Sequence, residues 1–233
     1  MKIETIFKKM IKDKEKFTQA RKGSEFEDRF EDICKEQGFT RKLKDDIKEE
    51  LEKIKALVHD DFDEGTIENI LNEKSNLVDF FVSQPFGSQN YPDFLIFTTK
   101  YIIPIEIKYS SGNSKKPMWN GNIPKSNGIY IFGNNKDFTF FKGMDVLPKK
   151  EKEKLFEFWN KTAEEYKLYK INTKSLLKEK VLDVEYGFDV YPRKTFQQNK
   201  QINPNAIIDF FNNPNRTKLE KSTINYLKKL DEN

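Results

Sequence analysis

Apolar residues recur along the chain with two different periods, and the change between them divides it. Residues 2–20 read as one strongly charged helix. Gly23-Ser24 opens a second, with Ser24 as N-cap and Glu27 three positions on completing a capping box. Phe26, Phe30, Ile33 and Cys34 fall on one face of it, and Gly38 stops it. Residues 42–58 repeat the helical spacing, and 66–72 read as a short helix. The period then shortens. Leu77–Ser83, Asp93–Thr99, Tyr101–Lys108, Ile129–Phe132, Phe138–Phe141 and Val184–Val190 read as strands, with turns at Pro85–Asn90, Lys100 and Asn134–Lys136. Residues 109–127 form a long polar loop. Residues 151–170 are helical, 174–181 extend the helical region, 192–203 are irregular, and helices near 204–212 and 216–230 follow. The pattern predicts one α/β domain over residues 1–233, a mixed central β-sheet flanked by helices.

Composition narrows the classes. Among 233 residues 36% are hydrophobic, including 21 Phe, enough for a real core. No apolar run reaches 18 residues, and the lysine-rich start does not read as a signal peptide, so the expectation is a soluble, cytoplasmic protein with no membrane partner. The single cysteine excludes an internal disulfide, and the single histidine, His59, excludes sites needing two. Residues 1–90 hold 17 Lys and Arg against 21 Asp and Glu. Residues 109–150 hold 7 against 2, and residues 191–233 hold 8 against 4. The positive charge therefore sits in two segments, which make one basic surface if they meet in space.

The chemistry-bearing stretch is Tyr91-Pro92-Asp93 followed by Ile105-Glu106-Ile107-Lys108. Alternation on a strand turns Ile103, Ile105 and Ile107 to one face and Glu106 and Lys108 to the other. Hairpin pairing brings Asp93 beside Glu106. Two adjacent carboxylates repel, and a divalent cation relieves the repulsion. Carboxylate, carbonyl and water oxygens suit Mg²⁺, with the Ile107 carbonyl as a further ligand. Lys108 can orient an attacking water and hold a phosphate. An acidic residue two before a lysine occurs three times, at Asp46, Glu106 and Glu165, but only Glu106 lies on a strand after a Pro-Asp pair. The plainer alternative is a surface hairpin with a cross-strand salt bridge.

Pro92-Asp93 with Glu106-Ile107-Lys108 resembles the active-site motif of the PD-(D/E)xK nucleases. Gly23 through Glu27 is similar to the Gly-x-x-x-Glu start of the first helix in many of them, where the glutamate joins the metal site. That role competes with the capping box for Glu27. Residues 117–132 look like the segment after the catalytic strand in some type II restriction endonucleases. The resemblance spans residues 22–133. It implies a restriction-endonuclease-like fold with a catalytic core over 22–141 and a helical, DNA-recognition part over 142–233. It also implies Mg²⁺-dependent cleavage of a short duplex site by Asp93, Glu106, Lys108 and Glu27, in a homodimer with one active site per strand.

Base reading calls for Asn, Gln, Arg and Lys at groove edges. One loop offers Ser110, Asn113, Lys115, Lys116, Asn120, Asn122 and Lys125. A second offers Arg193, Gln197 and Gln198. Trp119 can stack on a base or anchor the loop in the core. Two other readings stay open: a structure-specific nuclease like a Holliday-junction resolvase, and a non-catalytic DNA-binding domain.

Overall fold

The computed structural model describes residues 3–70, 79–112, 114, 116–120, 123–180, 195–196, 211–212 and 214–232. The charged N-terminal stretch is two helices, α1 (Glu4–Lys12) and α2 (Lys14–Thr18), broken at Asp13. α3 spans Gly23–Glu36 and ends where Gly38 takes a φ of +90°. A two-residue strand, β1 (Thr40–Arg41), and a 3₁₀ turn (Lys44–Ile47) lead into α4 (Lys48–Val58). The helix expected at 66–72 is not formed at its start: Ile67–Glu68 is a strand, β2. Asn69 explains the difference. Its N–H donates to the Lys100 carbonyl (2.7 Å) and its side-chain amide to the Thr98 carbonyl (2.7 Å), drawing the segment into the sheet.

Six further strands follow: β3 (Phe80–Ser83), β4 (Phe94–Phe97), β5 (Tyr101–Ser110), β6 (Trp119–Asn120), β7 (Ile129–Asn134) and β8 (Phe138–Lys142). A short helix, α5 (Gly143–Val146), precedes α6 (Lys149–Lys180), one helix across the two expected stretches. β9 (Thr195–Phe196) and α7 (Arg216–Glu232) complete the described elements. The expected strand at 184–190, and the helix near 204–212 except for its last two residues, lie outside the described residues.

The main sheet has seven strands in the order β1-β3-β4-β5-β7-β8, with β2 also paired to β5. β1–β3 and β5–β7 are parallel; the other pairs are antiparallel, so the sheet is mixed. Helices flank it. One face carries Ile103, Ile105, Ile107, Ile129 and Ile131 against α1, α2, α3 and the end of α7. The other carries Leu95, Tyr130, Phe132 and Phe141 against α4 and Trp119. Arg216 fixes α7 to the β7–β8 turn by a two-pronged bond to Asp137 (2.7 and 3.0 Å) and a bond to the Phe138 carbonyl (2.6 Å). No helix among the described residues is long and apolar enough to cross a membrane.

Pro104 lies inside the central strand β5, where a proline usually breaks the ladder. Here one edge of β5 changes partner: Tyr101 and Ile102 pair with β2, and Ile105 to Ser110 pair with β7. The Ile107 N–H points to the β4 side, so the missing N–H of Pro104, three positions away, would point to the opposite edge, into the gap between β2 and β7. No ladder bond is lost there.

α3 comes close to the sheet because β7 has a glycine beneath it. A methyl group on Gly133 would stand 2.5 Å from the Phe26 ring. Gly133→Ala is expected to lift α3, costing about 1–3 kcal/mol, read as a lower urea midpoint, and to lower any activity that depends on Glu27.

Candidate active site

The site begins with where β4 starts. Phe94 is opposite Ile105, so Asp93, one residue earlier, is level with Glu106. β5 continues past this point to Ser110 with β7 on one side and β4 absent on the other. The first N–H of β5 left without a strand partner on that side is that of Ile107, and it donates to Asp93 Oδ2 at 2.6 Å. That bond fixes the aspartate at the open edge. A strand residue turns its N–H and C=O to the same side, so the Ile107 carbonyl also faces this edge.

Glu106 and Lys108 share a face, as their sheet neighbours Tyr130 and Phe132 do. The Lys108 ammonium donates to Glu106 Oε1 at 2.5 Å. Glu106 is 8% exposed, and its Oε2 is buried with no hydrogen-bond partner. Lys108 keeps 29% of its side chain in solvent. The group is therefore sunk at the glutamate and open at the lysine.

Glu27 arrives from α3. The capping box expected for it is not made: α3 starts at Gly23, with Lys22 in the cap position and no side-chain cap bond. Glu25 instead reaches back to the Arg21 N–H (2.9 Å). Glu27 is left half-buried, with Asp93 and Lys108 near enough to act on its charge. Burial first, then the Asp93 charge, pushes the Glu27 carboxyl up to about 7. Burial first, then Glu106, pushes Asp93 up to about 7, against the pull of the Ile107 N–H and Lys108. Burial also raises Glu106, although Lys108 opposes it. These acids hold their protons up to neutral pH because nothing nearby balances three negative charges.

This is the electrostatic condition a bound cation relieves. Among the described residues no set of three His, Cys, Asp or Glu side chains is gathered tightly enough to hold a metal by itself. The donor set at this edge is two carboxylates, Asp93 and Glu106, with the Ile107 carbonyl. Such a set suits a hard cation that keeps several waters, and the unpartnered Glu106 Oε2 fits that role.

Sequence reasoning missed the layer behind these residues. Tyr91 and Tyr130 are buried beside Glu106, and burial raises both phenols. Tyr130 Oη accepts from the Lys125 N–H (2.7 Å). Lys125, expected to meet DNA, is corrected. It is 5% exposed, and its ammonium donates to Asp61 Oδ1 and the His59 carbonyl, both at 2.7 Å. Lys152 is fully buried, bonded to the Asp61 and Pro124 carbonyls and to Ser126 Oγ, and burial lowers it to about 8. These two lysines staple the 123–128 loop behind the site. Lys152→Met is expected to cost about 2–4 kcal/mol, because the groups it binds stay buried without a donor. A shift in the thermal midpoint checks this.

Of the other expected DNA contacts, Ser110 ends β5 half-buried, Lys116 is exposed, and Asn120 lies in β6. Asn113, Lys115, Asn122, Arg193, Gln197 and Gln198 lie outside the described residues. The two basic segments do meet. Trp119 pairs with Phe196 and Asn120 with Thr195, in an antiparallel ribbon. Trp119 is the anchor rather than an exposed stacker: it is buried, edge-on to Tyr130 at 5.2 Å. Met118, next to it, is 67% exposed.

No family model matches the chain, and neither a curated protein nor a solved structure matches it. The functional reading rests on the site itself.

Proposed function

We propose that the protein is a Mg²⁺-dependent endonuclease of the PD-(D/E)xK type, most like a type II restriction endonuclease cutting a short site in duplex DNA. The observation that supports it most is the unpartnered, buried Glu106 Oε2 beside Asp93 at the open edge of β5, with Lys108 reaching solvent. Asp93, Glu106 and the Ile107 carbonyl would hold the ion. When bound, Mg²⁺ supplies neutralising charge at a phosphate oxygen and makes water more acidic.

The chain's own groups do the rest. The Ile107 N–H keeps Asp93 in one orientation. The Lys108 ammonium, steadied by Glu106 Oε1, donates to a non-bridging phosphate oxygen and orients the attacking water. Glu27, with its carboxyl near neutrality, can take up and release a proton within the working pH range. The β6–β9 ribbon joins the two basic segments on the Glu106 face through Trp119, where a two-stranded ribbon can enter a major groove. Two copies, each cutting one strand, would match a palindromic site.

Purified protein incubated with phage DNA, with and without Mg²⁺, tests this directly. Discrete fragments sharing one end sequence, formed only with Mg²⁺, are expected. The closeness of Glu27 to Asp93 also suits a structure-specific nuclease. Cutting confined to branched DNA would transfer the reading there, and binding without cleavage would remove catalysis from it.

A further inference from the structure

α6 is 32 residues long, about 48 Å. Only its start is held by the body of the protein, through Lys152 and Phe156. From 157 to 176 none of its side chains is buried. Yet Leu155, Phe158, Thr162, Tyr166, Tyr169, Thr173 and Leu176 recur at steps of three and four, which makes one continuous face. Phe158 is 71% exposed, Tyr169 65% and Leu176 53%. An apolar stripe of this size on a soluble surface marks an interaction site.

The charges beside the stripe indicate what covers it. Residues 151–165 carry five Glu and three Lys, one of which, Lys152, is buried in the body. Residues 166–176 carry three Lys and no acid. A second copy laid parallel would put like charge on like. Laid antiparallel, each acidic half meets a basic half. Covering the stripe removes roughly 600 Å² a side from water, ~1,200 Å² in all, at the lower edge of specific interfaces.

We propose that α6 pairs antiparallel with α6 of a second copy, about a two-fold axis near residues 165–166. This assigns a surface to the two-copy arrangement proposed above and does not depend on the cleavage chemistry. The wild-type protein is expected to rise from 27.7 kDa to twice that mass across a concentration series in light scattering. Phe158→Glu with Tyr169→Glu is expected to stay at the single mass with an unchanged circular dichroism spectrum. Cys34 is buried, so introduced cysteines are the reactive ones. Glu165→Cys is expected to form a disulfide with its own copy. Leu155→Cys and Leu176→Cys are expected to cross-link when mixed and not alone. A wild type that stays monomeric throughout, a double variant that still dimerises, or self-linking by Leu155→Cys alone would overturn the proposal. Monomers that cut DNA would remove the pairing and keep the nuclease. Dimers that cut nothing would do the reverse.

Discussion

Asp93→Ala, Glu106→Ala and Lys108→Ala are each expected to lower DNA cleavage by about three orders of magnitude or more, some 4 kcal/mol of transition-state stabilisation. The losses have different origins. Without Asp93 the Ile107 N–H loses its acceptor and the ion loses a ligand. Without Glu106 the Lys108 ammonium loses the oxygen that steadies it. Without Lys108 the carboxylates remain, so ion binding is retained while turnover is lost. Glu27→Gln keeps size and polarity, and a smaller loss of about tenfold is expected. Single-turnover cleavage of a defined duplex, with circular dichroism of each variant, checks all four. Full activity in any of the first three would exclude this site.

The second large effect is on stability. Asp93 sits near pKa 7 in the folded protein, above the ordinary aspartate value of 3.8. Between those values the folded state binds more protons than the unfolded state, so stability falls as pH rises. The contribution is complete below about pH 4 and is lost as pH passes through 7. Glu27 acts in the same direction. The metal-free protein is therefore expected to melt at a lower temperature at pH 8 than at pH 6. Asp93→Asn keeps an oxygen for the Ile107 N–H and removes the charge. At pH 8 it is expected to stabilise the metal-free protein by about 1–3 kcal/mol, a gain of about 3–10 °C. At pH 5 the gain should vanish, because the native aspartic acid is already neutral. Mg²⁺ should raise the wild-type midpoint more at pH 8 than at pH 6, since protons compete for the same oxygens. Calorimetry with and without Mg²⁺ measures each effect. An Asp93→Asn protein that gains as much from Mg²⁺ as the wild type would refute the assignment.

Much of the candidate site was legible because its logic is local. Strand alternation alone puts Glu106 and Lys108 on one face, and the short turn after Thr98 brings Asp93 level with Glu106. The two basic segments were legible as charge, and their meeting at β6 and β9 was an open condition that the structure meets. Lys125 and Lys152 could not be read in this way. Their partners are decided by loops 26 to 91 residues away in sequence, and nothing in Lys149-Lys150-Glu151-Lys152 marks one lysine as buried. β2 was misread because Ile67 and Ile70 keep helical spacing, whereas the two bonds made by Asn69 act across the sheet. Glu27 was legible in position, but its release from the cap was not, because Glu25 competes for the same helix end.

Pro104 has a consequence for how firmly the parts stay aligned. A ladder that slides needs a free donor at the next rung, and on the β7 edge the rung below Ile105 has none. The ring works as an end-stop against downward creep of β7. Tyr130 thereby keeps its place beside Glu106, and with it the Trp119 hinge of the ribbon. Replacing the proline would restore a donor and leave the threshold between the scissile edge and the groove-facing arm free to drift.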